Sequence, residues 1–296
     1  MNKHKKAAKA AFDFIKGEIV KKALILDAYN LIYRAKSGFT KGENAIVFMF
    51  FRSLRALIEQ FKPDECYFVL EGVPQRNVEV LGEYKSNRPS QSSDFHRQKN
   101  KIVSMIRDNF PITVVRHPYH ECDDIAGNIA RKVADEGGEA IVVSSDTDFI
   151  QILQWETKGE IKLYNPVKKD FIQPPEYDYI RWKSMRGDKT DNIEGIPKFG
   201  DKTAEKYALS ESLFKDLMEQ SDKREIVKRN KELIEFADIN CIYDEHIDIH
   251  TTWAFNKDVV LKEFQEMEFS SMIKEKYFKN FTCTFENLCV ELSEIK

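Results

Sequence analysis

The sequence predicts an α/β fold in which a wound, largely parallel sheet is flanked by helices and followed by a helical lobe. Short apolar runs, rich in β-branched and aromatic residues, alternate with segments of helical period such as Ala45–Phe61 and Ile125–Val133. The runs are continuous rather than alternating with polar residues, which indicates strands buried on both faces, as in parallel sheets. The predicted strands are Ala23–Leu26, Cys66–Leu70, Ile112–Val115 and Ala140–Val143.

Composition shifts divide the chain into three segments. Residues 1–22 are predicted to form a basic N-terminal helix or arm, because residues 3–22 hold seven lysines against two acids. Residues 23–180 contain the predicted strands and form the α/β core. Residues 181–296 form a helical lobe, in which Leu209–Phe236 and Val259–Phe278 have helical period. No Pro/Gly/Ser-rich hinge separates core and lobe, so we expect the two to pack together.

The composition is that of an ordinary globular protein. A chain of 296 residues with 42% hydrophobic side chains can bury a sizeable core. The five cysteines include no C-x-x-C pair, which argues against a disulfide framework or a zinc site and favours a reducing, cytoplasmic setting. No apolar run approaches the roughly 18 to 20 residues of a membrane span, and the basic start lacks the apolar core of a signal peptide. With a net charge of −3, any nucleic-acid partner must be bound by local basic patches.

Acidic residues follow every predicted strand. The carboxyl ends of parallel strands meet at one edge of a sheet, so we expect these side chains to share one cleft. Unit charges about 4 Å apart repel by about 1 kcal/mol even in water, and such a cleft therefore requires cations. Oxygen ligands without accompanying His or Cys favour Mg²⁺ or Mn²⁺ over zinc. The acids are Asp27, Glu71, Glu121, Asp123, Asp124, Asp146 and Asp148.

Each of these acids has a structural alternative when it is taken alone. An acid after a strand is commonly a helix N-cap or a turn former, and Asp124 fits the cap of a helix that begins at Ile125. One cap explains one acid and not the whole set, so the joint arrangement favours a metal site. Asp188 and Asp191 are three residues apart and would face the same side of a turn, although their segment is also ordinary turn composition.

The segment Gly195–Ala204 combines two glycines five residues apart with a Lys-Thr pair that opens a helical run. Glycines let a backbone turn tightly against a phosphate, and the amide N–H groups of a helix start supply donors. A plain Gly-rich turn is the alternative. The segment resembles the hairpin of helix-hairpin-helix DNA-binding modules, which grip the nucleic-acid backbone without reading bases. Its candidate contact residues are Gly195, Lys198, Gly200, Lys202 and Thr203.

A basic stretch lies between Arg76 and Arg107, directly after Glu71. Its middle, residues 86–93, has loop composition. A solvated surface loop is one interpretation. The other is a flexible cationic strap over the acidic cleft, with Arg76 among the residues that hold a single strand.

Together these motifs resemble the 5′-nuclease superfamily: flap endonucleases, the 5′-nuclease domains of bacterial DNA polymerase I, and phage 5′–3′ exonucleases. The resemblance covers about residues 23–207 and favours the stand-alone phage or bacterial type. It implies a PIN-like core, a helical arch over about residues 74–107 and a helix-hairpin-helix-type motif over about 185–207. The motifs that carry it are Leu-Asp27-Ala, Tyr84-Lys85-x-x-Arg88, Glu121-x-Asp123-Asp124, Ser145-Asp146-x-Asp148 and Gly187-Asp188-x-x-Asp191-Asn.

The resemblance also implies roles for individual residues. Lys85 and Arg88 would polarise the scissile phosphate, a base would stack on Tyr33, and the hairpin would hold duplex together with a monovalent cation such as K⁺. Glu71 stands where the family generally has Asp, which predicts altered metal geometry. Two Mg²⁺ or Mn²⁺ ions are implied, the first held by Asp27, Glu71, Glu121 and Asp123, the second by Asp146, Asp148, Asp188 and Asp191. Asp124 would serve either ion or lie only in the second shell.

The predicted function is two-metal hydrolysis of DNA phosphodiesters at 5′ ends or flaps, in replication or repair, by a monomer in the cytoplasm of a bacterial or phage-infected cell. RNA–DNA hybrids are a further expected substrate, and residues 1–22 are either a solvated helix or an arm that contacts DNA. The alternatives are a PIN-type ribonuclease, which is shorter and lacks the hairpin, and a non-catalytic branched-DNA-binding protein. A phosphotransferase using Asp27 would require Asp-x-Asp, whereas the chain has Asp27-Ala-Tyr29.

Overall fold

A seven-stranded sheet organises the computed structural model, which describes residues 22–38, 42–239 and 244–289. The predicted basic arm lies outside the described residues, apart from Lys22. The strands are β1 (Lys22–Asp27), β2 (Glu65–Leu70), β3 (Thr113–Arg116), β4 (Glu139–Val143), β5 (Glu160–Asn165), β6 (Asp170–Ile172), β7 (Gly187–Asp188), β8 (Ile193–Glu194) and β9 (Asp248–Thr251). The main sheet has the order β6-β5-β4-β1-β2-β3-β9, and β7 and β8 form a separate two-stranded ribbon.

Helices connect and cover the strands. Among those described, none has the length and apolarity needed to cross a bilayer. A 3₁₀ helix, Thr147–Gln154, follows β4. The α-helices are α1 (Ala28–Lys36), α2 (Ala45–Phe61), α3 (Gln75–Val80), α4 (Ser93–Asn109), α5 (Cys122–Asp135), α6 (Tyr179–Arg186), α7 (Asp201–Leu209), α8 (Glu211–Met218), α9 (Ser221–Ile234), α10 (Lys257–Glu266) and α11 (Glu275–Glu286).

The centre of the sheet is parallel, which confirms the predicted fold class. β1 pairs in parallel with β2 on one side and β4 on the other, and β3 and β5 extend the two sides in parallel. The chain builds β2 and β3 on one side of β1 before α5 crosses to the other side. The order of the strands therefore reverses next to β1, and such a reversal opens a crevice at the strands' carboxyl ends.

Both faces of the central strands are buried, as their uninterrupted apolar sequences require. In β1, Leu24 and Leu26 pack with α1, α2 and α4, whereas Ala23 and Ile25 pack with α5 on the opposite face. All four side chains are fully buried. This double covering holds the strands rigidly, so the residues at their ends are fixed in position.

The edge strands were not predicted from the sequence. β5 and β6 carry exposed polar residues, and β9 pairs antiparallel with β3. Beyond β9, Phe264 of α10 and Phe285 of α11 are buried in the same core as α2 and α4. The chain after residue 244 therefore returns to the α/β body, whereas helices α6 to α9 contribute to a separate hydrophobic cluster.

Candidate active site

Asp27, the last residue of β1, lies at the centre of the crevice. Its carboxylate caps α1 by accepting a hydrogen bond from the Asn30 N–H (3.0 Å), and it also accepts one from the Ser144 hydroxyl (2.7 Å). The Cys122 thiol lies 3.6 Å from the same carboxylate. Burial raises the pKa of Asp27 to about 6, because these neutral donors only partly offset the cost of removing its charge from water.

Glu71 and Asp123 border Asp27 across the crevice. Glu71 follows β2 and opens to the solvent of the cleft, where it accepts a hydrogen bond from the Cys122 N–H (3.2 Å). Loss of hydration next to the protein and repulsion from the nearby Glu121 carboxylate raise the pKa of Glu71 to about 7. Asp123 lies in the first turn of α5, and burial together with Asp146 and Asp27 raises its pKa well above the usual range. Ligand atoms of Asp27, Cys122 and Asp123 lie within 4.8 Å of one another.

Glu121 is held differently from these acids, because cationic and neutral donors surround it. It is buried directly before α5 and accepts hydrogen bonds from Asn77 Nδ2 (3.1 Å) and the Tyr84 hydroxyl (2.9 Å). The Lys85 ammonium forms an ion pair with its second oxygen. Glu121 thus ties the basic stretch after β2 to the crevice.

Asp146 and Asp148 follow β4 across the short Ser144–Ser145 link. Asp146 caps the 3₁₀ helix by accepting a hydrogen bond from the Asp148 N–H (2.9 Å). Burial raises the pKa of Asp146, although nearby Lys183 and Lys85 oppose the rise. Asp148 accepts a hydrogen bond from the Lys183 ammonium.

The β7–β8 ribbon brings Asp188 and Asp191 to Asp148. Ligand atoms of the three carboxylates lie within 4.8 Å of one another. Burial alone would raise the pKa of Asp188, but Lys183 and Thr190 outweigh it and lower the pKa to about 2. Gly187 has a φ of +77° and approaches the backbone of Gly195 so closely that a side chain would not fit. The close approach of Gly187 and Gly195 therefore lets Asp188 and Asp191, which lie outside the main sheet, reach Asp148 near the end of β4.

Lys85 and Arg88, which belong to the basic stretch after β2, form ion pairs with the clustered acids. Lys85 adopts a φ of +55°, donates its N–H to the Asp191 carbonyl (3.1 Å) and places its ammonium 3.7 Å from the Asp191 carboxylate. Burial opposes its charge, but Glu121 and the other acids hold the pKa of Lys85 above its ordinary value. Arg88 contacts the Asp191 carboxylate at 2.5 Å and is half exposed. The left-handed backbone at Lys85 turns its side chain inward between the acids.

Tyr33 forms an aromatic wall of the same cleft. Its ring is 45% exposed and stacks at 6.3 Å on Tyr29, with Phe95 edge-on to both. A cleft of about 490 Å³ joins Tyr33 to the acids and to Lys85 and Arg88. A nucleobase could stack on this flat, exposed ring while its phosphate lies beside the acidic and basic side chains.

Two predicted site residues point elsewhere. Asp124 accepts a hydrogen bond from the Ala237 N–H (2.7 Å) and lies 3.4 Å from His120 Nδ1, so its carboxylate ties α5 to the segment after α9 rather than joining the other acids. The Arg76 guanidinium donates to the carbonyls of Glu232 and Glu235. The Asp124 carboxylate is thus turned away from the other acids, and the Arg76 guanidinium is engaged by backbone carbonyls, which corrects the expectation that Asp124 binds metal directly and that Arg76 is free for DNA.

The predicted hairpin segment lies between α6 and α7. Gly195 packs against the Arg186 carbonyl with no room for a side chain, and the Ile196 N–H donates to the Met185 carbonyl (2.8 Å). Lys198, with a φ of +70°, is exposed, as are Gly200 and Lys202. The exposed turn therefore presents two lysines beside the N-terminus of α7, which Gly200 caps; Thr203 lies in the first turn of this helix.

Sequence reasoning missed Lys183 and Cys122. Lys183 lies on α6 with 3% of its side chain exposed and is paired with Asp148 and Asp188. A lysine in an amphipathic helix is ordinarily solvated, so nothing in the local pattern marks it. Cys122 could have been noticed as the residue between Glu121 and Asp123.

A family model described as the 5′–3′ exonuclease N-terminal resolvase-like domain matches residues 22–178. DNA polymerase I of Thermus filiformis is 27% identical over 277 residues, which cover 86% of this chain and 33% of the polymerase. DNA polymerase I of Treponema pallidum is 31% identical over 200 residues, which cover 61% of this chain and 20% of that protein. The chain thus spans a third or less of the length of these relatives.

Solved structures share the fold. The flap endonuclease of bacteriophage T5, in a complex with DNA and metal ions, has a TM-score of 0.61 at 16% identity, covering 90% of this chain and 99% of that one. The catalytic core of Rad2 in complex with DNA substrate has a TM-score of 0.52 at 16% identity, covering 90% and 93%. Because the family model matches more than half of the sequence and the fold agrees, the chain belongs to the 5′–3′ exonuclease family within the 5′-nuclease superfamily.

Proposed function

We propose that this protein is a divalent-metal-dependent 5′-nuclease that hydrolyses DNA phosphodiesters at 5′ ends or flaps. One observation carries the proposal: acids from three strand ends and from the first turn of α5 line a cleft together with Lys85 and Arg88, and the two basic side chains also contact Asp191 of a second acid cluster beside it. Family membership, the polymerase relatives and the DNA complexes of the T5 and Rad2 proteins support the same activity.

The donor atoms suit hard divalent cations. Asp148, Asp188 and Asp191 supply only oxygen, and Asp27 and Asp123 supply oxygen beside the buried Cys122 thiol. Carboxylate oxygens of this kind are preferred by Mg²⁺ and Mn²⁺. The raised pKa values of Asp27, Glu71 and Asp123 also support the proposal, because carboxylates crowded without a cation hold protons until a metal replaces them.

The chain's own residues then orient the substrate. Two bound divalent ions would acidify a water molecule and offset the charge on the scissile phosphate, so no nucleophilic side chain is needed. Lys85 and Arg88 add positive charge at the mouth of the cleft, where the phosphate would enter. Tyr33 offers its exposed face to the neighbouring base.

The hairpin accounts for the preference for duplex-bearing substrates. Lys198 and Lys202 are exposed beside the free N–H groups of the α7 N-terminus, a combination that binds phosphates without reading bases. A monovalent cation such as K⁺ at Gly195–Gly200 belongs to the same proposal. RNA–DNA hybrids remain a candidate substrate, since these contacts are made to the backbone.

The test is digestion of 5′-labelled DNA flap, nicked-duplex, RNA–DNA hybrid and single-stranded RNA substrates with Mg²⁺ or Mn²⁺, with EDTA as the negative control. We expect either one cut near the flap branch or release of short products from the 5′ end. Binding of flaps without cleavage in either metal would support the non-catalytic alternative. Cleavage confined to single-stranded RNA would support the PIN-type alternative.

A further inference from the structure

Cys122, the first residue of α5, places a sulfur atom among the carboxylates at the strand ends. The residue is 1% exposed, and its thiol lies 3.6 Å from Asp27 Oδ1 and 3.4 Å from the Val69 carbonyl. Its backbone N–H donates to the Glu71 carboxylate (3.2 Å). Contacts on both sides therefore hold the sulfur atom in a fixed position against the acids.

The distances around the thiol suit one ion that is bound by sulfur and by oxygen. Ligand atoms of Asp27, Cys122 and Asp123 lie within 4.8 Å of one another. Zinc lies about 2.3 Å from thiolate sulfur and about 2.0 to 2.2 Å from carboxylate oxygen, so two such ligands of a tetrahedral ion are about 3.5 Å apart. The 3.6 Å between the Cys122 sulfur and Asp27 Oδ1 is close to this separation. An ion can therefore contact both atoms with little movement of either side chain.

The two carboxylates beside the thiol can accept an ion without losing their other contacts. In the described part of the chain, the Asp123 carboxylate accepts no hydrogen bond and forms no ion pair with a lysine or arginine. Asp27 accepts hydrogen bonds from the Asn30 N–H and the Ser144 hydroxyl in addition to the thiol. An ion that replaces the thiol proton leaves these two hydrogen bonds in place.

The chemistry of the ion decides whether the sulfur takes part in binding. Mg²⁺ prefers oxygen ligands and gains little from a thiol, whereas Zn²⁺ and the softer Cd²⁺ bind thiolates strongly. When such an ion binds, the thiol gives up its proton to the solvent, and one proton is released for each ion. Cys122 therefore adds a ligand that distinguishes between two classes of divalent ion.

We propose that Cys122 sets the metal preference of the first acid group, Asp27, Glu71 and Asp123, by supplying a thiolate that binds Zn²⁺ or Cd²⁺ but not Mg²⁺. This inference rests on the proposed function, because it takes these acids as ligands of a catalytic divalent ion. Thiophilic ions then occupy the position of the catalytic ion and exclude Mg²⁺ from it. Cys122 is thus a residue that determines metal specificity.

The test is titration of Cd²⁺ into the metal-free full chain with a non-thiol reductant, followed by the ultraviolet absorption of the cadmium–thiolate bond. Cys122→Ala should lose part of this absorption and bind Cd²⁺ about 30-fold more weakly, while its Mn²⁺ affinity stays within about threefold of wild type. Cys122→Ser, which offers oxygen in place of sulfur, should behave in the same way. Cys66→Ala is the matched control, because it removes a buried thiol from the hydrophobic core and should bind Cd²⁺ like wild type.

Comparison of the two affinities separates a ligand from a residue that only fills space. A packing role would leave the Cd²⁺ and Mn²⁺ affinities of Cys122→Ala both unchanged or both weakened, and either result contradicts the proposal. Competition in the wild-type protein needs no variant, since excess Mn²⁺ should displace Cd²⁺ and reduce the absorption. An absorption that Mn²⁺ does not reduce at all comes from other thiols, such as exposed Cys283, and overturns the inference even if both variants fail to fold.

Inhibition by zinc extends the test to the reaction. Zn²⁺ should halve the Mg²⁺-dependent cleavage of a flap at a concentration about tenfold lower in wild type than in Cys122→Ala, each compared with its own uninhibited rate. Equal sensitivity of the two proteins contradicts the role of Cys122.

The two proposals fail in different ways. A Cd²⁺ absorption that depends on Cys122, in a protein that cleaves no substrate with Mg²⁺ or Mn²⁺, supports the thiolate ligand and contradicts the nuclease proposal. Cleavage by a protein whose Cd²⁺ absorption does not depend on Cys122 contradicts only the role of Cys122.

Discussion

Two neighbouring groups of acids balance their charge by different means: the first is Asp27, Glu71 and Asp123, and the second is Asp148, Asp188 and Asp191. Asp27 and Asp123 of the first group form no ion pair with a lysine or arginine among the described residues, and burial raises their pKa values above the usual range. The second group surrounds Lys183, and the pKa of Asp188 is lowered to about 2. The second group is thus folded around a buried cation of the protein, whereas Asp27 and Asp123 have no ion-pair partner of this kind among the described residues. The difference separates what the acids do for catalysis from what they do for stability.

The largest expected effect is on the cleavage rate, and it should be the same for both groups of acids. Asp123→Asn and Asp148→Asn each remove one ligand charge, one from each group, and each should slow DNA cleavage by about 1000-fold, the loss of several kcal/mol of transition-state stabilisation. Cleavage of a flap under single-turnover conditions measures this, with gel-shift binding retained. Asp124→Asn is the matched control, because Asp124 points away to the Ala237 N–H, and it should remain close to wild type. Full activity in either group variant would show that this group is not needed.

Lys85 connects the groups, since its ammonium contacts Glu121 and lies 3.7 Å from Asp191. Lys85→Ala should reduce the cleavage rate by about 100-fold, because a charge directed at the phosphate is lost. Lys99→Ala, on the same basic stretch, serves as the control. An equal loss in both variants would point to general electrostatic attraction rather than a positioned charge.

Stability should respond in opposite directions in the two groups. In EDTA, Asp188→Asn removes a partner of buried Lys183 and should lower the free energy of unfolding by about 2 kcal/mol. Asp123→Asn replaces a buried carboxyl group, which burial and neighbouring acids make costly to ionise, with a group that cannot ionise, and it should raise the free energy of unfolding by about 1 kcal/mol. Urea unfolding of the two metal-free variants measures both changes. Changes of the same sign would remove the distinction between the groups.

The pH dependence sharpens the description of the first group. The pKa of Asp27 is about 6 in the folded protein and near 3.8 when unfolded, so folding takes up a proton between these values. In the metal-free protein, the stabilisation that comes from the protonated Asp27 carboxyl is therefore fully present below about pH 4 and is lost as the pH rises through 6. Between pH 4 and 7, wild type should lose about 1 to 2 kcal/mol more than Asp27→Asn. A parallel loss in both proteins would show that Asp27 is ionised throughout.

The central strands and most acids could be predicted because their signals are local. An apolar run followed directly by Asp27, or by Asp146 and Asp148, places the carboxylate at a strand end whatever the rest of the chain does. The orientation of α5 about its axis depends on contacts that are distant in the sequence. Asp123 and Asp124 are adjacent, yet one faces the cleft and the other faces Ala237. Lys183 and β9 were missed for the same reason, since each acquires its role from a partner distant in the sequence.

β9 has a consequence for any shortened form of the protein. The segment that matches the family ends at residue 178, but the free edge of β3 is covered by residues 248–251, which pair with Thr113–Arg116. A chain cut at the family boundary would lose Asp188 and Asp191 and would also leave the β3 backbone groups unpaired. Open strand edges of this kind recruit other strands. Such a fragment should therefore aggregate through β3 rather than behave as a minimal enzyme, although it contains the recognisable part of the sequence.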